Sequence, residues 1–144
     1  MKLEAGSFVG GTDIEISLEY RTHLANGLLL FAFGGTGTYF ILQLDAGTLL
    51  WELSVNEDEY AFRFPNGSIS LCDGQWHVVK LVRKGTQMQM TVDSMSLVYG
   101  GDSQHTDSVA ITSYLYVGGI PDDDPEAVEF IRRNQLDQQI QQSQ

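Results

Sequence analysis

Apolar and polar residues alternate through Ile14-Glu15-Ile16-Ser17-Leu18-Glu19-Tyr20, the period of two that marks a half-buried strand with one face on a core. Arg21-Thr22-His23 continues it, and Asn26-Gly27 supplies a turn before the short apolar run Leu28 to Phe33, which reads as a central strand. Gly34-Gly35-Thr36-Gly37 breaks the chain, and Tyr39 to Leu44 resumes it with aromatic and β-branched residues until Asp45-Ala46-Gly47. Leu49 to Val55, the polar tip Asn56-Glu57-Asp58-Glu59 and the return Tyr60 to Phe64 predict a hairpin.

After Pro65-Asn66-Gly67, Ile69 to Leu71 leads into the turn Asp73-Gly74-Gln75, from which a strand departs through Trp76 to Arg83. Lys84-Gly85-Thr86 turns it back into Met88 to Asp93, Ser94 to Tyr99 continues extended, and a last strand runs from Ile111 to Val117. Turn signals about every 8–12 residues, with no helical period between them, predict roughly ten strands in an all-β sandwich or barrel. The chain changes character at Pro125: Val128, Ile131, Leu136 and Ile140 punctuate a Glu- and Gln-rich stretch. That tail, residues 125–144, is expected to be a short helix or disordered.

At 144 residues, 42% of them hydrophobic, the chain suits one buried core, which is assigned to residues 1–124. The net charge of −11 excludes nucleic acid as a partner and argues against a sulfated polyanion, because either needs clustered Lys and Arg. Lys80, Arg83 and Lys84, and Arg21 with His23, read as ordinary solvated charges. No run of about 18 apolar residues exists, so no membrane insertion is expected. The opening residues lack a signal-peptide core, so an extracellular chain would be an excised or internal piece. Cys72 is the only cysteine, which leaves no intrachain disulfide.

Five segments in order carry a resemblance: Leu18-Glu19-Tyr20-Arg21-Thr22, Asn26-Gly27-Leu28-Leu29-Leu30-Phe31, Ile41 to Gly47, Cys72-Asp73-Gly74-Gln75-Trp76-His77, and Leu115 to Pro121. Together, over residues from about 8 to 121, they resemble the laminin G-like family, and Cys72 before the Asp-Gly turn is most similar to modules of laminin α chains. The resemblance implies a two-sheet antiparallel jelly-roll sandwich of the concanavalin-like kind. It also implies an extracellular adhesion or matrix module whose rim loops bind a cell-surface or matrix protein or a glycan. The rim loops here are Gly34 to Thr38, Asn56 to Glu59 and Gly100 to Ala110.

Calcium-binding relatives place one Asp before the strand matching Tyr39 to Leu44 and another before the last strand. The matching positions here are Thr38 and about Ala110, neither a carboxylate, so no cofactor is expected and calcium is disfavoured. Asp102 and Asp107 are the nearest substitute ligands. The family also implies a final strand beside the first one. In its place stands Asp122 to Phe130, which reads as a turn and helix start, so either the tail packs over the edge of Ile14 to Tyr20 or that edge is open.

Catalysis is not expected: His23, His77 and His105 belong to no nucleophile or metalloprotease motif, and Glu57-Asp58-Glu59 crowd a hairpin tip. A spacer without its own ligand and a jelly-roll carbohydrate-active enzyme are the alternatives. Asn66-Gly67-Ser68 fits the glycosylation acceptor pattern in an exposed turn. Both parities of the strand from Trp76 are apolar apart from Lys80 and Arg83, which leaves open whether Trp76 or His77 faces inward. The motif favours a buried Trp76 as fold machinery, with His77 partly exposed.

Overall fold

The computed structural model describes residues 2–4, 13–35, 37–56, 58–64, 71–85, 87–100, 114–119 and 124–133. Ten strands and one helix occur among them: β1 (Lys2–Glu4), β2 (Asp13–Tyr20), β3 (Gly27–Phe33), β4 (Tyr39–Asp45), β5 (Thr48–Val55), β6 (Asp58–Arg63), β7 (His77–Lys84), β8 (Gln87–Val92), β9 (Met95–Gly100), β10 (Tyr114–Val117) and α1 (Pro125–Arg133). They form a six-stranded sheet in the order β1-β10-β3-β4-β5-β6 and a four-stranded sheet in the order β2-β7-β8-β9. Every described pairing is antiparallel, which the short turns demand for the consecutive pairs β3–β4, β4–β5, β5–β6, β7–β8 and β8–β9. The two-sheet antiparallel sandwich expected from the sequence is therefore observed, with β1 an additional short strand.

The core lies between the sheets. Ile14, Ile16, Val79, Leu81, Met88, Met90 and Val92 face Leu30, Phe40, Leu42, Leu44, Leu49, Trp51 and Leu53. β2, β7 and β8 show the strict alternation of strands buried on one face. β4 and β5 are buried on nearly every residue, because the six-stranded sheet is covered on its outer side as well.

That cover includes α1. Phe130 stacks on Phe33 with ring centroids 4.3 Å apart, and Phe130 and Ile131 join Leu28, Phe31, Tyr39, Ile41 and Tyr116 in a second apolar cluster. Asp124 and Pro125 start the helix as a polar residue and a proline suit its first positions. The buried Asp124 carboxylate accepts a 3.0 Å hydrogen bond from the Tyr116 hydroxyl, tying the helix start to β10. The described part of the tail thus packs on the outside of the six-stranded sheet and not over β2. Among the described residues, β7 is the single neighbour of β2.

Candidate functional site

The turns after β3 and after β5 meet at one end of the six-stranded sheet, because Tyr39, Ser54 and Glu59 lie in one row across β4, β5 and β6. Gly34 and Thr38 close the first turn through Gly34 N–H to Thr38 O at 2.9 Å and Thr38 N–H to Gly35 O at 3.1 Å. Gly37 sits at φ +74°, where a side chain would strain the backbone, and its carbonyl accepts a 2.6 Å bond from the Ser54 hydroxyl. Asn56, at φ +51°, donates its N–H to Thr38 Oγ1 at 3.1 Å. Two of the three expected rim loops are therefore fused into one hydrogen-bonded surface, with Gly35 and Asn56 exposed.

Behind that surface the buried Tyr39 donates its hydroxyl hydrogen to Glu59 Oε1 at 3.2 Å. Burial first, then the negative charges of Glu59 and Glu52, pushes the phenol above its ordinary range, so it stays a neutral donor. The Glu59 carboxylate is engaged as an acceptor. Glu57, Asp102, Asp107 and Asn66 lie outside the described residues, as do His105, Ala110 and the third rim loop beyond Gly100.

Thr38 is the residue that the sequence resemblance sets at the expected calcium position. It offers a buried hydroxyl oxygen already accepting from Asn56, which does not fit a charged ligand for a hard divalent cation. Among the described residues no group of three or more His, Cys, Asp or Glu side chains is arranged so that it could hold a metal ion.

β7 and the residue before it correct three expectations. His77 is 4% exposed, whereas Trp76 is 60% exposed. The parity of β7 is therefore His77, Val79, Leu81 and Arg83 inward and Trp76, Val78, Lys80 and Val82 toward the outer face. Arg83 is buried at 3% and is not the solvated charge expected of it. The reason His77 takes the inward place is polar satisfaction. Its Nε2 meets Asp73 Oδ1 at 2.8 Å, its Nδ1 meets Asp93 Oδ2 at 2.9 Å, and the Tyr20 ring lies 5.5 Å away.

An ionised carboxylate only accepts, so both ring nitrogens carry hydrogen and His77 is an imidazolium. Burial alone would lower its pKa, but the bonds to Asp93 and Asp73 and their charges outweigh that, and the pKa lies above 6.5. The bonds from His77, helped by the Gln75 and Val78 amides respectively, hold Asp73 and Asp93 below 3.8. The arrangement clamps the turn before β7 to the turn after β8. Asp73 also bonds Gln75 N–H at 3.0 Å, Gly74 takes φ +80°, and a Cβ there would run into the His23 ring. Trp76 instead lies outside, with the Arg21 guanidinium 4.9 Å from its ring centroid. The sequence signal that could have separated the two residues was Asp at 73 and at 93, each able to meet one nitrogen of a buried histidine.

The family model of the Laminin G domain matches residues 20–135, most of the chain. The chain belongs to this family. Human usherin is 30% identical over 122 residues, covering 84% of this chain and 2% of that protein. Human laminin subunit alpha-1 is 29% identical over 113 residues, covering 76% of this chain and 4% of that protein. The structure of mouse laminin alpha1 chain domains LG4-5 superposes with a TM-score of 0.72 at 26% identity, over 85% of this chain and 32% of that one. The chain thus spans a few hundredths of the length of these curated relatives, and the matched region includes α1. Among the described residues no helix is long and apolar enough to cross a membrane.

Proposed function

We propose that this laminin G domain is a non-catalytic extracellular recognition module, binding a cell-surface or matrix protein or a glycan through its rim without calcium. The observation that carries the reading is the fusion of the Gly34 to Thr38 and Asn56 to Glu59 turns by the Thr38–Asn56 and Ser54–Gly37 hydrogen bonds. Turns held on a rigid sheet present exposed groups at little entropic cost on binding, which is what recognition loops require. Kinship with laminin and usherin supports the extracellular placement, as part of a larger secreted or cell-surface protein, and a non-enzymatic role. In that compartment Asn66 is the residue proposed to carry a glycan.

The experiment is a glycan array and a cell-surface binding assay on the parent chain and on Gly35→Arg. A Cβ at Gly35 meets nothing within 4 Å, so this substitution changes the rim without disturbing the fold. Binding by the parent in chelator, lost in the variant, is the expected result. Parent binding that the variant retains would move the site away from the rim. No binding by either would favour the spacer reading, and hydrolysis of a polysaccharide would overturn the non-catalytic one.

A further inference from the structure

The β3–β4 turn of the rim is closed at its base by a cross-strand pair, Phe33 as the last residue of β3 and Tyr39 as the first of β4. One side chain of α1 lies against both. The Phe130 ring stacks on Phe33 with centroids 4.3 Å apart and meets Tyr39 edge-on at 6.4 Å. The Tyr39 hydroxyl in turn donates to Glu59 Oε1 in β6 at 3.2 Å, at the foot of the second rim turn. The two turns are themselves joined by the Ser54 hydroxyl to Gly37 O at 2.6 Å and by Asn56 N–H to Thr38 Oγ1 at 3.1 Å. Phe33, Tyr39 and Phe130 are all buried, and close packing leaves such rings little room to shift independently of one another. A helix side chain far along the chain thus underlies both turns.

We propose, on the reading that the rim is the recognition surface, that Phe130 is a positioning residue for it: docking of α1 sets Phe33 and Tyr39, and through them both turns. The rim is then complete only while the helix is on the sheet. α1 suits this role because it takes part in no strand pairing and can leave without opening either sheet. Its hold is the burial of Phe130 and Ile131 in the outer apolar cluster and the Tyr116–Asp124 bond at 3.0 Å. Removing the Phe130 ring vacates the space beside Tyr39, and a phenol that turns into that space carries its hydroxyl away from Glu59. The coupling is reciprocal: a ligand that requires the ordered turns favours the docked helix by the same free energy.

The test is amide hydrogen exchange, read residue by residue by NMR on the ¹⁵N-labelled 144-residue chain without ligand. Its outcome is therefore independent of the binding assays on Gly35→Arg, which test the rim as recognition surface. The amides of Gly34, Thr38 and Asn56 each donate a rim hydrogen bond and are the probes. In Phe130→Ala they should exchange about tenfold faster than in the parent. Phe130→Leu keeps apolar bulk on the sheet and should speed them about threefold, which carries the comparison should the alanine variant not fold. Val79→Ala is the control: it removes core volume from the four-stranded sheet, whose strands pair with none of the rim's, and should leave the three rates at their parent values although the domain is less stable. The proposal is overturned if the three amides keep their parent rates in the Phe130 variants. It is also overturned if Val79→Ala speeds them as much, because the rim would then be following overall stability and not the helix.

Discussion

Replacing His77 with Ala removes a buried ring and the only donor that joins Asp73 to Asp93 in the described structure. Hydrogen bonds to charged partners contribute about 1.5–3 kcal/mol when buried. Here the carboxylate side chains are 37% exposed and water can replace part of what is lost, so the low end applies to the bonds. Adding the lost packing against Tyr20 gives a cost of about 2–3 kcal/mol at pH 5.5. For a domain of this size that corresponds to roughly 6–12 °C in Tm. The sign of the pH dependence follows from the directions of the shifts. His77 has a raised pKa in the folded state, so its contribution is complete below 6.5 and is lost as pH rises through the folded value. Asp73 and Asp93 have lowered values, so theirs is complete above 3.8 and is lost as pH falls through the folded values. The Tm deficit of His77→Ala relative to the parent should therefore be largest between about 4 and 6.5 and shrink in alkaline buffer. Thermal melts of both proteins by circular dichroism at pH 5.5, 7.5 and 9.5 measure it, and subtraction removes the charge effects they share. A deficit that is flat across the series, or that grows toward pH 9.5, would refute the imidazolium clamp.

Trp76→Ala should cost less than about 1 kcal/mol, because the ring is mostly solvated; a loss of 3 kcal/mol or more in urea titration would put the ring back in the core. Phe130→Ala should cost about 3 kcal/mol, since that ring lies on Phe33 over the outer face of the sheet, and an unchanged urea midpoint would mean that α1 is not docked there. Gly74→Ala should destabilise by more than the usual 1 kcal/mol or so of a left-handed position, as the new Cβ also displaces His23; equal stability would show that the turn rearranges freely. Millimolar calcium should leave Tm nearly unmoved, and a rise of several degrees would reveal a site that Thr38 does not provide.

The sandwich was readable because its strands obey the simplest rule available. Ile14, Ile16 and Tyr20 go in while Glu15, Ser17 and Glu19 stay out, and the glycines and asparagines between runs mark the reversals. The fused rim was half readable: its loops were placed, but the bond from Asn56 to Thr38 depends on strand register, which no local pattern encodes. β7 was misread for a related reason. Trp76, Val78 and Val82 supply apolar residues on one parity, and Val79 and Leu81 supply them on the other, so hydrophobicity could not choose. What chose was His77, whose two nitrogens find carboxylates only when it points inward, and those carboxylates are 4 and 16 residues away in the chain. Large aromatic size was a poor guide because Arg21 gives the exposed indole a partner of its own.

The tail shows how a fold can place an amphipathic segment by shape where strand pairing offers an alternative. Phe33, Tyr39 and Tyr116 form an aromatic floor on the outer side of the six-stranded sheet, which would be a large exposed apolar patch if nothing covered it. Burying one phenylalanine side chain there contributes about 1.5–3 kcal/mol, and the Asp124 bond to Tyr116 fixes where the helix begins. The edge of β2 offers less to this segment. Its outward column is Asp13, Glu15, Ser17 and Glu19, and a neighbour carrying Glu126 and Glu129 would set carboxylates beside carboxylates. The same acidic column blunts β2 against copies of itself, because antiparallel self-pairing would bring like charges together. Helix docking on one sheet and charge on the edge of the other are thus two answers to exposed surface, each dictated by the side chains already present.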